Sequence, residues 1–234
     1  MKEWFDLWGV IHCMENTKVM RTIHLSFDLD GTLIDSLPLM RASWEALCKK
    51  YNLKVGWSQF KLQLGLPFDA ICLNLGLEDL AADLHKDYFN YNFENIEKIE
   101  AMPGLQYLRD WLARENIEWS IVTSKPQKTA IPILSKFSLN PNIMICCDDT
   151  AKGKPNIEPA LLLRSKVSPD RKIFYIGDSI VDHLFSVNSE FEFIDFSPKG
   201  KAEYDLSSRL LGRGRILNPF ISIDSLLEIP RVVL

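Results

Sequence analysis

The second half of the chain alternates short apolar runs with amphipathic helical patterns, and this alternation restricts the possible folds more than any other feature. Strand patterns occur at Ile117 to Val122, Ile143 to Cys147, Lys172 to Ile176 and Phe191 to Phe196, with helical patterns between them at Gln127 to Phe137, Ile157 to Lys166 and Ser179 to Val187. Such alternation predicts an α/β fold, a doubly wound parallel sheet with a Rossmann-like core, whose ligands bind beyond the carboxyl ends of the strands.

Residues 36–101 lack this alternation and show helical patterns alone. Ser36 and Pro38 mark a helix start, and three further helical patterns follow, at Ser58 to Leu64, Pro67 to Leu75 and Asp79 to Tyr91. We therefore expect an inserted all-helical cap domain at 36–101, a catalytic core formed by 22–35 and 102–234, and an N-terminal extension at 1–21.

The charge and composition limit the partners of the chain. A net charge of -4 gives no overall attraction for nucleic acid or anionic membranes. No apolar run approaches the ~18 residues of a membrane helix, and Glu3 and Asp6 interrupt the N-terminal apolar stretch, so we expect no signal peptide. The five cysteines are odd in number and lack metal-type spacing, which favours a reducing, cytoplasmic location.

The C-terminal segment carries weaker signals. Five cations after Pro198 form a loose cluster that we expect to be solvated surface: Lys199, Lys201, Arg209, Arg213 and Arg215. Leu226, Leu227 and Ile229 are expected to pack a last element against the sheet.

Two carboxylates follow the first strand pattern, Ile23 to Phe27, at the point where it ends. Asp28 and Asp30 are two residues apart, so they point the same way if the extended geometry persists. Two like charges about 4 Å apart repel by roughly 4 kcal/mol at an effective dielectric of ~20. A divalent cation, a shared proton or divergence into solvent would relieve this repulsion. The first two describe a working site, whereas an ordinary Asp-Gly turn is the structural alternative.

Polar residues also follow the later strands. Thr123 and Ser124 suit a phosphate oxygen or an ordinary helix cap. Lys154, held by Pro155 in a loop, would offset charge if it lies opposite the carboxylates and is otherwise a surface residue. Asp178 and Asp182 suit a hard octahedral cation, with helix capping as the alternative for Asp178.

Taken in order, these segments resemble the haloacid dehalogenase superfamily, in particular members with a helical (C1-type) cap such as phosphoglycolate phosphatase and β-phosphoglucomutase. The matching segments are DLDGTLID at Asp28 to Asp35, VTSK at Val122 to Lys125, GKPNIEP at Gly153 to Pro159 and GDSIVD at Gly177 to Asp182. The resemblance covers nearly everything from Ile23 to Phe196.

The resemblance implies a magnesium-dependent phosphatase that acts on a small phosphorylated metabolite. Asp28 would attack phosphorus and become an aspartyl-phosphate, while Asp30 would protonate the leaving oxygen and then deprotonate the hydrolytic water. Thr123 would hold the phosphoryl group, together with the backbone amides of Leu29 and Ser124.

The resemblance also assigns the cations of the site. Lys154 would join Asp28 to the phosphoryl group. Mg²⁺ would bind Asp28, the carbonyl of Asp30 and Asp178, with Asp182 in or just behind its first coordination shell.

Departures from the family pattern affect loop details. Ile157 stands where relatives often carry a second proline, and Asn188, Ser189 and Glu190 replace a small Ala-Gly ending. The cap stretch Leu64 to Ile71 lacks the basic residue that sugar-phosphate mutases tend to carry there. Five cap cations are candidates for substrate contact but better suit solvated helix faces: Arg41, Lys49, Lys50, Lys61 and Lys86.

Several other functions compete with the phosphatase assignment. A sugar phosphomutase is the nearest alternative, and a non-catalytic binding protein that retains the fold is the alternative from another class. A dehalogenase is disfavoured because the resemblance implies that such members lack the acid/base supplied by Asp30, and a protein-directed phosphatase is disfavoured by the cap.

Overall fold

The computed structural model describes residues 22–198 and 221–233, and these form a parallel six-stranded sheet with helices around it. The sheet strands are β1 (Ile23–Phe27), β4 (Trp119–Val122), β5 (Ile143–Ile145), β6 (Lys172–Gly177), β7 (Glu192–Phe196) and β8 (Ile221–Ile223). Their order is β5-β4-β1-β6-β7-β8, with every neighbouring pair parallel. The predicted α/β fold class is confirmed.

Helices connect and cover the strands. The core helices are α5 (Leu105–Arg114), α6 (Gln127–Lys136), α7 (Glu158–Arg164), α8 (Ile180–Ser189) and α9 (Ile229–Val233). Apolar clusters cover both faces of the sheet, one including Phe27, Ile121 and Trp111 and the other including Tyr175, Phe185 and Leu163. The sheet is therefore buried on both sides, as expected of parallel strands joined by helical crossovers.

An all-helical insertion follows the first strand. Its helices are α1 (Leu37–Tyr51), α2 (Trp57–Lys61), α3 (Phe68–Asn74) and α4 (Ala81–Glu94). They enclose an apolar cluster of their own, centred on Trp44, Phe60 and Phe68. The predicted inserted helical cap is thus part of the fold.

A short antiparallel ribbon pairs the segment that enters the cap with the segment that leaves it. It consists of β2 (Ile34–Asp35) and β3 (Glu100–Ala101), with Ile34 opposite Ala101. No strand was predicted between Ser36 and Ala101, and β3 corrects that expectation; a two-residue strand is too short to show alternation. Nearby, the Lys136 ammonium donates to the carbonyls of Ile96 and Ile99 at 2.9 and 2.6 Å.

Some expectations about the termini change or remain untested. Leu226 and Ile229 are buried as predicted, but Leu227 was wrongly placed because its side chain is 53% exposed. The segment Leu226–Glu228 is a 3-10 turn, in which adjacent side chains point in different directions. The N-terminal extension at 1–21 and the basic cluster Lys199 to Arg215 lie outside the described residues. None of the described helices is long and apolar enough to cross a membrane.

Candidate active site

The strand register brings the predicted site residues to one edge of the sheet. Phe27 lies opposite both Ile121 and Ile176 in the neighbouring strands. Asp28 follows Phe27 directly, while Thr123 and Asp178 follow two residues after their own strand partners. Parallel strands end at the same edge, so these three side chains converge and line one cavity.

Lys154 connects the carboxylates behind this cavity. Its ammonium donates to Asp28 Oδ1 at 2.7 Å, to Asp182 Oδ1 at 2.7 Å and to the Tyr175 hydroxyl at 2.9 Å. The Tyr175 hydroxyl in turn donates to the carbonyl of Val122 at 2.9 Å. Because the Lys154 side chain is only 2% exposed, these contacts replace its hydration and fix the position of its charge.

The electrostatic environment shifts the pKa of both main partners. Burial raises the pKa of Asp28 to about 7; Lys154 opposes the shift, and the charges of Asp182 and Asp30 add to it. Burial alone would lower the pKa of Lys154, but the Asp182 and Asp28 carboxylates outweigh it and raise that pKa well above its ordinary value. Burial is therefore the main cause of the Asp28 shift, and Lys154 offsets part of it.

Asp30 has a different set of partners. The Lys125 ammonium lies 3.2 Å from its Oδ2, and the Ser36 hydroxyl donates to its Oδ1 at 2.6 Å. Ser36 starts α1 as predicted, but its hydroxyl contacts Asp30 and makes no helix cap hydrogen bond. Each of the two carboxylates pairs with a different lysine, which reduces the repulsion expected between Asp28 and Asp30, although the charge of Asp30 still contributes to the raised pKa of Asp28.

Backbone hydrogen bonds fix the turn that contains Asp30. The carbonyl of Leu29 accepts hydrogen bonds from the amides of Leu33 and Ile34 at 3.0 and 3.1 Å. Gly31 has φ +91, and a Cβ there would lie 2.4 Å from Asp178 Oδ2. Glycine is therefore required at this position both for the turn and for the approach of Asp178.

Thr123 and Ser124 occupy the neighbouring strand end. Thr123 is 4% exposed, and its hydroxyl oxygen accepts from the amide of Lys125 at 3.2 Å. A hydroxyl whose oxygen already accepts a hydrogen bond can still donate its proton to a ligand in the cavity. The Ser124 hydroxyl donates to the carbonyl of Gly65 in the cap at 2.5 Å.

Three carboxylates are close enough to share a metal ion. Ligand oxygens of Asp28, Asp178 and Asp182 all lie within 4.8 Å of one another. Thr32 donates to Asp178 Oδ1 at 3.2 Å, which leaves Oδ2 directed toward the turn at Gly31. Oxygen donors of this kind fit Mg²⁺.

Both carboxylate oxygens of Asp182 already accept hydrogen bonds within the protein. Its Oδ1 accepts from Lys154, and its Oδ2 accepts from the hydroxyl and the amide of Ser179. Both oxygens therefore already have donors, so the geometry favours a role for Asp182 in positioning Lys154. A place behind the first coordination shell was one of the two positions expected from the sequence.

The cap closes over this edge of the sheet. A cavity of about 90 Å³ lies between the two layers and is lined by Asp28, Asp30 and Thr123 from the core and by Phe68 and Tyr88 from the cap. Gly65 packs so tightly that a Cβ there would lie 2.9 Å from Ser179 Oγ. Together with the contact between Ser124 and Gly65, this packing places the cap loop directly on the site.

Sequence reasoning missed several members of the site. Tyr175 contacts Lys154, but a tyrosine inside an apolar strand is indistinguishable from an ordinary core residue. Lys125 was noted after its strand without a role, and the contact of Ser36 with Asp30 was hidden by its function as a helix start. The spacing of Ser36 six residues after Asp30 gave no usable signal, because it depends on the turn at Gly31.

Comparisons with known proteins extend these observations. The model of the haloacid dehalogenase-like hydrolase family matches residues 25–195. A phosphoglycolate phosphatase of Pseudomonas fluorescens is 28% identical over 171 residues, which cover 68% of this chain but only 63% of that protein. An N-acetylmuramic acid 6-phosphate phosphatase of Pseudomonas aeruginosa is 25% identical over 174 residues, covering 70% of this chain and 77% of that protein. The crystal structure of a hydrolase from Pseudomonas syringae superimposes with a TM-score of 0.76 at 24% identity, covering 90% of this chain and 97% of the other.

Proposed function

Because the chain belongs to the haloacid dehalogenase-like hydrolase family, we propose that it is a magnesium-dependent phosphatase that hydrolyses a small phosphorylated metabolite through an aspartyl-phosphate intermediate. The observation that carries the proposal is the buried contact of Lys154 with Asp28 beside Asp178, at a strand edge that the cap encloses. The cavity of about 90 Å³ beneath the cap suits a small ester rather than a folded protein substrate.

We also propose separate roles for two parts of the chain. Residues 22–35 and 102–234 form the catalytic core, and residues 36–101 form the cap that excludes water from the reaction. The ribbon of β2 and β3 supports these boundaries because it lies where the chain enters and leaves the helical segment. The free thiols of the described cysteines Cys48, Cys72, Cys146 and Cys147 support a cytoplasmic location.

In the first step, a carboxylate oxygen of Asp28 attacks phosphorus and the ester bond to the leaving oxygen breaks. Asp30 donates a proton to that oxygen, so the product leaves as a neutral alcohol. Thr123 and the amides of Leu29 and Ser124 hold the phosphoryl oxygens. Lys154 fixes the attacking carboxylate and offsets negative charge next to it.

In the second step, water hydrolyses the aspartyl-phosphate. Asp30, now ionised, takes a proton from the water, whose oxygen attacks phosphorus. The bond between phosphorus and Asp28 breaks, which releases inorganic phosphate and regenerates the free carboxylate of Asp28. Lys125 and Ser36 hold the Asp30 carboxylate facing the cavity throughout both steps.

The donor set of the site fits Mg²⁺. Asp28, Asp178 and the carbonyl of Asp30 would hold the ion, with Asp182 behind them. When bound, Mg²⁺ supplies positive charge that neutralises the phosphoryl oxygens. Burial raises the pKa of Asp28, and a cation bound beside it would favour its ionised form.

The test is phosphate release from p-nitrophenyl phosphate by the full chain with Mg²⁺. We expect Asp28→Asn to abolish release and a chelator to suppress it until Mg²⁺ is restored. Asp148→Asn is the matched control, because Asp148 is an exposed aspartate beyond a neighbouring strand that does not line the cavity. Wild-type activity in Asp28→Asn would refute the proposal.

A further inference from the structure

The cap wall of the catalytic cavity is almost entirely apolar. Facing Asp28 and Thr123, it is formed by Met40, Phe60, Phe68, Ile71, Tyr88 and Phe89. We propose that this wall selects phosphate esters whose leaving group is an uncharged, largely apolar alcohol or phenol, that is, alkyl or aryl phosphates. The inference rests on the proposed phosphatase function and narrows its substrate class.

The cavity offers no spare positive charge to the leaving group. Among the residues that the structure describes, Lys125 is the only cation in its lining, and Lys125 already pairs with Asp30 at 3.2 Å. Lys154 lies behind Asp28 and is held by Asp28 and Asp182. A carboxylate or second phosphate on the leaving group would therefore lose its hydration without gaining an opposite charge, which is costly.

The cations of the cap do not compensate for this lack. Within residues 36–101, all of which are described, the cations do not line the cavity: Arg41, Lys49, Lys50, Lys54, Lys61, Lys86 and Lys98. Arg41 pairs with Glu45 on the surface of α1, and Lys50 pairs with Asp87 between α1 and α4. Positive charge in the cap is thus directed away from the substrate.

The apolar wall is rigidly built. Phe60 is 1% exposed and stacks on Trp44 with ring centroids 4.1 Å apart, and Phe68 lies 4.8 Å from Tyr88. These side chains also form the core of the cap, so they cannot turn aside to admit water without opening that core. The Tyr88 hydroxyl is the one polar side-chain group contributed by the six wall residues, which allows a single uncharged polar contact.

Two esters of nearly equal shape test the inference. Isobutyl phosphate and phosphoglycolate share the same reacting linkage, and an isopropyl group in the first replaces the carboxylate of the second. We expect kcat/KM to be at least about tenfold higher for isobutyl phosphate. Equal or higher kcat/KM for phosphoglycolate would overturn the inference. Phenyl phosphate against 4-carboxyphenyl phosphate provides the aromatic pair, with the same expectation.

A cation placed in the wall should reduce or abolish the preference for isobutyl phosphate. Met40 is only partly buried, so Met40→Lys is expected to fold and to raise the ratio of phosphoglycolate to isobutyl phosphate turnover by about tenfold. Met40→Gln is the control for polarity without charge, and Leu66→Lys provides a second position in the lining. If neither lysine variant moves the ratio, the wall does not set specificity.

The outcomes distinguish a failure of the inference about the wall from a failure of the phosphatase proposal. Release of phosphate from p-nitrophenyl phosphate, combined with a preference for phosphoglycolate, leaves the phosphatase proposal standing and overturns the inference about the wall. Failure to hydrolyse any ester in the presence of Mg²⁺ overturns both.

Discussion

The two sides of the cavity are built on opposite physical principles. On the core side, charged groups meet at strand ends and each is held by a specific partner, as Lys154 is held by Asp28 and Asp182. On the cap side, Trp44, Phe60 and Phe68 are held mainly by apolar ring contacts, with one hydrogen bond from the Trp44 indole to the carbonyl of Val55. Under the proposed function, the core side carries the chemistry of phosphoryl transfer and the cap side determines which ester reaches it.

Replacing Lys154 should have the largest effect, because it removes the cation shared by the core side. In Lys154→Met we expect kcat to fall by roughly 10²–10³-fold. We also expect stability to fall by about 3–5 kcal/mol, since Asp28 and Asp182 remain buried without their ammonium. Steady-state kinetics and urea unfolding measure the two effects.

The control for Lys154→Met is Lys152→Met, which removes an exposed lysine of the same loop. Its kinetics and stability should match the wild type. If the two variants were equally stable, the buried carboxylates would not depend on Lys154. The core side would then not be held together by its charge pairs, which contradicts the comparison with the cap side.

Truncating Phe60 should disrupt the aromatic packing of the cap side. Phe60→Ala should cost about 3–5 kcal/mol of stability because it opens a cavity among the stacked rings. The loss of kcat/KM should appear mainly in KM, since the wall contacts the leaving group and not the transferring oxygens. Leu62→Ala, at a side chain that is 68% exposed, should change stability by less than about 0.5 kcal/mol. A fall in kcat with an unchanged KM would contradict this expectation, because it would mean that the wall acts in the chemical step.

His24 is a fully buried titratable group near the start of β1, at the opposite end of the strand from Asp28. Burial lowers its pKa to about 4, with the charge of Arg171 adding to the effect, and its Nε2 lies 2.9 Å from Ser120 Oγ. The unfolded chain takes up this proton near pH 6.5, whereas the folded chain does so only near the lowered value. Stability should therefore be complete above pH 6.5 and fall by about 2–3 kcal/mol as the pH drops toward 4.

The variant His24→Gln checks this pH dependence, because glutamine can keep a hydrogen bond to Ser120 without titrating. Urea unfolding between pH 4 and 7 should show a smaller slope than in the wild type. His85→Gln, which removes a histidine that pairs with Asp69 on the cap surface, should leave most of the slope in place. An unchanged slope in His24→Gln would assign the acid sensitivity to the carboxylates.

Removing the Tyr175 hydroxyl should have the smallest effect of the four changes. Tyr175→Phe deletes one partner of Lys154 but leaves both carboxylate contacts. We expect a stability loss of about 1 kcal/mol and a fall in kcat/KM well below that of Lys154→Met. Tyr107→Phe, at a surface tyrosine, is the control. A loss as large as that of Lys154→Met would show that the hydroxyl, and not the carboxylates, positions the ammonium.

Sequence reasoning reached further on the core side than on the cap side. Asp28 and Thr123 each follow an apolar run directly, and Asp178 follows one after a single glycine, so periodicity and chain order were enough to predict that they converge. The cap helices were also predicted, but their spacing did not show that Phe60, Phe68 and Tyr88 would line a cavity as well as a core. An aromatic stripe looks the same in both settings, because the pattern records burial and not the identity of the opposite surface.

The sequence by itself determined the alternation of strands and helices, the inserted helical segment and the order of polar residues at the strand ends, because each of these depends on near neighbours in the chain. Only the tertiary structure decided that Lys125 pairs with Asp30, that Tyr175 supports Lys154, that Leu227 faces solvent and that the cap presents no cation to the cavity. Those pairings join residues far apart in the chain, and they depend on distances that exist only after the sheet and the cap have packed together.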